Sequence, residues 1–265
     1  MERVFASSEP LDASIDRILL CADRVREPIE ERILPDGAVH LIFNLGDRQS
    51  GERGAELDSL VMGATCGPTR IVLAGTLVQV CVRLRVGAAA AVLGVPAAAL
   101  TDHGVALDAL WGTTAREALE RLHAVPAGPA RVAVMTAILQ ERLHQAAPTP
   151  PIAFEAVRRI AASGGTLRIG ELAADLGVTD RRLQQIFHAH VGLSPKATCR
   201  LARFRAVLAR GRRARGRRWT EVALESGFSD QAHLVHELKA FTGLTPTELA
   251  RHDFGFFQDA AAAAG

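Results

Sequence analysis

One stretch of this 265-residue chain is written twice. Glu171-Leu172-Ala173-Ala174-Asp175-Leu176-Gly177-Val178-Thr179-Asp180 returns as Glu221-Val222-Ala223-Leu224-Glu225-Ser226-Gly227-Phe228-Ser229-Asp230, with Glu, Ala, Gly, Ser/Thr and Asp coinciding at a shift of 50. One inserted residue later the register resumes. Leu183 answers Leu234, Phe187 answers Leu238, and Gly192-Leu193-Ser194-Pro195 answers Gly243-Leu244-Thr245-Pro246. Such a duplication confines the fold, because both copies must adopt the same supersecondary unit. Gly177 and Gly227 stand where a left-handed residue closes a helix. Thr179 and Ser229 stand where a hydroxyl accepts from the free N–H groups that open the next one. The unit is a helix-turn-helix, at about 168–190 and again at about 219–240.

In the first copy Leu183, Ile186 and Phe187 fall on the inward face, leaving Arg181, Arg182, Gln184, Gln185 and His188 outward. In the second, Leu234 and Leu238 face in and Gln231, Ala232, His233 and His236 face out. Short polar faces almost free of carboxylates suit base edges in a major groove. Arg bridges guanine O6 and N7, Gln bridges adenine N6 and N7, and residues three to four apart share one helix edge. Between the copies, Ser194-Pro195 followed by Leu201, Phe204 and Leu208 predicts an N-capped helix with one apolar stripe.

Two tandem units, the second reading Gly-Phe-Ser-Asp-Gln-x-His-Leu over 227–234 and closing on Gly-Leu-Thr-Pro at 243–246, resemble the AraC family of transcription regulators over residues 152–252. The resemblance implies that Arg181, Gln184 and Gln185 face bases in one groove and Gln231, Ala232, His233 and His236 in the next. Ser229 would then hold a capping and phosphate position, and the intervening helix a rigid spacer. His236 departs from the pattern, since many relatives carry a longer basic residue there, so the first helix is expected to carry more of the specificity.

Charge divides the same way. Residues 1–151 hold 14 Lys/Arg against 18 Asp/Glu, whereas 152–251 hold 17 against 9, which turns the C-terminal part toward a polyanion. Arg210, Arg212, Arg213, Arg215, Arg217 and Arg218 cluster between the copies, as phosphate contacts or as a solubilising run.

The N-terminal half has a different grammar. Val39–Leu45 is an apolar run after the Pro35-Asp36-Gly37 turn signal, and Val78, Val80, Val82, Leu84 and Val86 alternate with Gln79, Cys81, Arg83 and Arg85, the period of a half-buried strand. A short helix is predicted between Gly87 and Gly94, and a helical hairpin over 114–145 opened by the capping box Thr114-Ala115-Arg116-Glu117. Ala146–Pro151 cannot continue a helix and predicts a stiff linker. The expected fold is therefore α+β in two domains: 1–147, β-rich, and 152–252, all-helical, with 253–265 as a tail. The string Leu-Pro-Asp-Gly at 34–37 with His40–Gly46 and Val82–Pro96 is similar to the sensor domain of one subgroup of AraC-like regulators. That likeness implies a cupin-like barrel, with an effector pocket expected at His40, Asn44, Arg83 and Trp111.

Cys21, Cys66, Cys81 and Cys199 lack the spacing of a disulfide framework or a zinc site, and His40, Cys66, Cys81 and His103 read as packing rather than metal ligands. Neither a nucleophile elbow, a zinc-protease helix, a phosphate loop nor a dinucleotide fingerprint occurs, so no catalytic residue, metal or cofactor is expected. The first residues lack a basic and then apolar signal, and no apolar run reaches membrane-spanning length, so the expected location is the cytoplasm, off the membrane. The partners to expect are double-stranded DNA, an effector of unknown identity, and, as further partners, RNA polymerase and a second copy of the chain. Two rivals stay open: an enzymatic N-terminal domain, such as cysteine-based repair, and one that serves protein contact alone through Arg131–Leu143.

Overall fold

The computed structural model describes residues 2–6, 14–51, 57–213, 228 and 230–251. Seven strands make one antiparallel sheet: β1 (Glu2–Ala6), β2 (Ile15–Ile33), β3 (His40–Asn44), β4 (Ser50–Gly51), β5 (Ser59–Met62), β6 (Thr69–Leu84) and β7 (Gly104–Ala106). Neighbours follow the order β1-β2-β6-β3-β5-β7, with β4 on β6, an open path where the sequence resemblance implied a barrel. The long β2–β6 ribbon runs from Ile15↔Leu84 to Ile33↔Thr69 and slips register between Val25 and Ile29. Pro28 lies in that slip and has no N–H to give the ladder, so the extra residues form a bulge and bend the ribbon.

Strand β6 corrects the period-two expectation of one buried face. Val80, Val82 and Leu84 enter the main core with Leu41, Phe43 and Val61, while Leu73, Leu77 and Cys81 on the opposite face pack with Leu19 and Cys21. Both faces are apolar because β2, paired alongside β6, adds Leu19 and Cys21 to the second face, a cluster that no single-strand pattern reveals.

Helices close the main core. They are α1 (Ala89–Leu93), a 3-10 turn at Ala97–Leu100, α2 (Asp108–Trp111), α3 (Thr113–His123) and α4 (Pro129–His144). Gly94 ends α1 in the left-handed region, and α3 and α4 form the expected hairpin, burying Ala115, Ala118, Leu122, Met135, Ile138 and Leu139. The Thr114–Glu117 capping box does not form. Helix α3 begins one residue earlier, with Gly112 (φ 60°, ψ −134°) before it and no side-chain cap, which leaves Thr114 inside the first turn.

After an extended Pro150, the C-terminal part is wholly helical: α5 (Pro151–Ala162), α6 (Ile169–Asp175), α7 (Asp180–Ile186) continued by a π-helical turn (Phe187–Val191), α8 (Pro195–Arg213), α9 (Gln231–Thr242) and α10 (Pro246–Arg251). Its core gathers Ile160, Leu172, Leu183, Phe187, Phe204, Val207, Leu234, Leu238 and Phe241. Phe204 and Phe241 stack at 4.7 Å between ring centres, tying α8 to α9. Gly165 (φ +76°) lets the α5–α6 turn press onto α8, where any Cβ would run into the Cys199 carbonyl. The architecture is α+β, an antiparallel sheet region followed by a helical one. Among the described residues, no helix is long and apolar enough to cross a membrane.

The two regions share surfaces. Leu34 and Ala64 are buried inside the helical core, with Cys66 and Val86 packed against it. Thr101 Oγ1 donates to the Gly192 carbonyl at 2.7 Å, Arg32 Nη1 to the Thr242 carbonyl at 2.8 Å, and Arg205 Nη1 to the Asp36 carbonyl at 3.3 Å.

Candidate nucleic-acid interface

Helix α7 is set by its two ends and its apolar side. Thr179, extended at φ −78° and ψ 156°, accepts from the Arg182 N–H at 3.2 Å, the cap its position predicts. Leu183, Ile186 and Phe187 are buried against α5, α6 and α8, which leaves Arg181, Arg182, Gln184, Gln185 and His188 all exposed. Arg182 Nη1 donates to Gln185 Oε1 at 3.4 Å, so two of the five already touch along the outer edge. The π-helical turn, closed by the Gly192 N–H on the Phe187 carbonyl at 2.9 Å, carries His190 inward, where burial and the charge of Arg182 lower its pKa.

The second unit is described from Phe228 and Asp230 onward, and its first helix lies outside the described residues. Asp230, not Ser229, caps α9. Its backbone is extended (φ −162°) and its Oδ1 accepts from the His233 N–H at 2.7 Å, a shorter and charge-assisted bond than a serine hydroxyl supplies. Gln231, Ala232, His233 and His236 are exposed, opposite the fully buried Leu234 and Leu238. The His233 ring meets Phe228 edge-on at 5.3 Å, so part of this side chain is engaged within the fold.

Helix α8 joins the two units. Ser194 Oγ accepts from the Ala197 N–H at 3.1 Å and Pro195 occupies the first turn, as the sequence predicts. Arg200 then grips Glu237 with Nη2 at 2.8 Å and Nε at 3.0 Å, and Glu237 is 6 % exposed. Nothing in the two local patterns announces this fork, because its partners are 37 positions apart. Arg212 and Arg213 fall in the last turn of α8, while Arg215 and Ser229 lie outside the described residues.

Of the four expected effector residues, His40 and Arg83 are brought together as cross-strand partners on Asp36, whereas Asn44 and Trp111 make their contacts elsewhere. His40 Nε2 lies 3.2 Å from both Asp36 carboxylate oxygens, and Arg83 bridges Asp36 at 2.6 Å and Asp16 at 2.7 Å. Burial alone would raise the Asp36 carboxyl, but the charges of His40 and Arg83 outweigh it and hold it well below the usual carboxylate range. Asn44 is buried elsewhere, donating to the Leu57 carbonyl at 2.6 Å and accepting from Gln79 at 2.6 Å. Trp111 is core, 5 % exposed, with its indole N–H on the Val92 carbonyl at 3.3 Å. Cys81 is buried, and a hydrogen bond with Cys21 together with burial pushes its thiol well above the usual range. Burial raises Cys66 and Cys199 as well. Among the described residues no group of three or more His, Cys, Asp and Glu is placed to hold a metal ion.

Residues 172–252 match the helix-turn-helix domain family, and residues 3–106 match a domain of unknown function, DUF6597. The C-terminal segment therefore carries a helix-turn-helix domain. No curated protein matches. Among solved structures it is similar to ToxT from Vibrio cholerae, at 8 % identity and a TM-score of 0.46 over 88 % of this chain and 97 % of that one. It is also similar to ToxT bound to an unsaturated fatty acid (10 %, 0.44, 89 % and 95 %) and to the AraC-like transcriptional activator CuxR (13 %, 0.23, 78 % and 85 %).

Proposed function

We propose that the chain reads a two-part duplex site, with α7 entering one major groove and the helix opening at Gln231 the next, under control of a small-molecule effector. The observation that carries this reading is the one-sidedness of α7. The five outward positions, Arg181, Arg182, Gln184, Gln185 and His188, present guanidinium, amide and imidazole groups with no carboxylate among them. The fork of Arg200 on Glu237 supports a fixed angle between the two reading helices. Division of labour follows the chain, with residues 1–147 as the controlling unit and 152–252 as the DNA-reading unit. Raised thiols at the buried Cys81 and part-buried Cys66 support a non-enzymatic N-terminal part, because a repair nucleophile needs thiolate.

Selection of duplexes from a random pool by the full chain, followed by affinity measurement between low and moderate salt, tests the reading. A recovered consensus with a steep fall in affinity as salt rises is expected, since each neutralised phosphate releases counterions. Equal affinity for all sequences, or affinity indifferent to salt, would sink it.

A further inference from the structure

Strand register brings together two cysteines that lie far apart in the sequence. Across the β2–β6 ribbon Leu19 pairs with Cys81 and Cys21 with Gln79, so Cys21 and Cys81 are diagonal neighbours on one face of the sheet. Both are buried in the small cluster that also holds Leu19, Leu73 and Leu77, and their thiols share a hydrogen bond. The Cys81 thiol also faces the Gln79 side-chain oxygen at 3.9 Å. Neither cysteine is in a disulfide.

The diagonal placement separates two kinds of thiol chemistry. Diagonal neighbours on an antiparallel pair stand about 7–8 Å apart, whereas a disulfide closes over Cα distances of about 4.4–6.8 Å. An S–S bond at this point would drag two strands that are paired on both sides of it, from Ile18↔Val82 to Val25↔Gly75. A metal ion between the sulfurs makes no such demand. Two thiolate–metal bonds of about 2.3 Å in line span about 4.6 Å, a little more than two sulfurs in hydrogen-bond contact, so side-chain rotation admits the ion. Two donors are too few for zinc, which takes four ligands, and the leucine lining offers no oxygen to a hard cation. What remains is a soft ion content with two thiolates, the class to which cuprous ion belongs.

Charge beside the pair suits that ion. Two residues along β6 from Cys81, about 7 Å, stands Arg83, which shares Asp16 and Asp36 with Arg17 and Arg205. Among the described residues this network sets three guanidinium groups against two carboxylates, which favours an anion nearby.

We propose that Cys21 and Cys81 bind one cuprous ion between β2 and β6 as a linear bis-thiolate. Binding releases both thiol protons to solvent and leaves a centre of net charge −1, with no change of oxidation state. The assignment does not depend on how the chain reads DNA.

The test is anaerobic titration of the full reduced chain with cuprous ion against a chromophoric cuprous chelator, with silver ion as a redox-inert probe and zinc ion as a control. One cuprous or silver ion per chain is expected, with two protons released at neutral pH, and zinc held far more weakly. X-ray absorption at the copper edge should show two sulfur neighbours and no nitrogen. Cys21→Ala and Cys81→Ala should each weaken binding by about a hundredfold or more, since one sulfur cannot hold the ion alone. The double variant Cys66→Ser/Cys199→Ser keeps only the proposed pair and should bind as the wild type does. That variant and the absorption spectrum of the wild type decide the matter even if an alanine in the ribbon unfolds the sheet. No stoichiometric ion in the wild type, zinc held as tightly as cuprous ion, or a centre with three sulfurs or with nitrogen would overturn the proposal. So would loss of binding in a folded Cys66→Ser/Cys199→Ser chain, or unchanged affinity in either alanine variant.

Discussion

Asp36 shows how much one side chain holds in this protein. Its carboxylate takes Arg83 at 2.6 Å, sits 3.2 Å from His40 and accepts the Ala38 N–H at 2.9 Å, while its carbonyl receives Arg205 from α8. Because its folded-state pKa lies well below that of an unfolded aspartate, its contribution to stability is complete above about pH 4 and drains away as the pH falls through the lower folded value. Urea unfolding of Asp36→Asn against wild type should therefore show a gap at neutral pH that narrows in acid, whereas a gap independent of pH would contradict this linkage. The reading residues make a second comparison. Gln185→Ala or Arg181→Ala should cost about 1–3 kcal/mol for the selected site and relax preference at one or two base pairs, as a lost bidentate contact does. His236→Ala should cost less, since an imidazole reaches less far. A larger specificity loss from His236 than from Gln185, in the same filter-binding series, would reverse that order.

At the scale of elements, what the sequence made legible was local. Thr179 and Ser194 sit at their caps because a hydroxyl before a helical run answers to the next turn alone, and α7 and α9 expose the faces their spacing predicts. The failures were also of one kind. The cap of α9 falls on Asp230, one residue past the hydroxyl that the spacing singled out, and its carboxylate accepts the His233 N–H. Gly112 started α3 before the capping box was in place, and β6 was buried on both faces because its neighbour β2 adds Leu19 and Cys21 to the second one. The fork between Arg200 and Glu237 belongs to this group of non-local facts. Arg200→Ala would leave a carboxylate that is 6 % exposed without its cation, and should destabilise the chain by about 2 kcal/mol after allowing for the partly exposed arginine. The same change should loosen α9 against α8 and weaken DNA binding beyond the stability loss. Unfolding midpoints and duplex affinity measured together would check it, and an unchanged midpoint would show the fork to be idle.

Over the whole molecule, the Pro-rich stretch at 146–151 suggested two bodies joined by a spacer, yet the folded chain knits them. Leu34 and Ala64 complete the helical core, and hydrogen bonds from Thr101 and Arg32 reach Gly192, after the turn that continues α7, and Thr242, at the end of α9. Such contacts join residues as far as 210 positions apart and leave no periodic trace in the sequence. Leu34→Ala should cost about 2–4 kcal/mol as a buried truncation, and should lower the stability of the helical part although the residue belongs to β2's exit. Hydrogen exchange that slackens only in the sheet, leaving α8 and α9 untouched, would argue against a shared core. The central claim is that one chain presents two reading helices in fixed relation to a duplex. Hydroxyl-radical footprinting of the full chain on its selected duplex measures this directly. Two protected segments about one helical turn, ~10 base pairs, apart on one face are predicted, with Gln185→Ala eroding one of them and sparing the other. A single protected segment, or erosion of both alike, would contradict it.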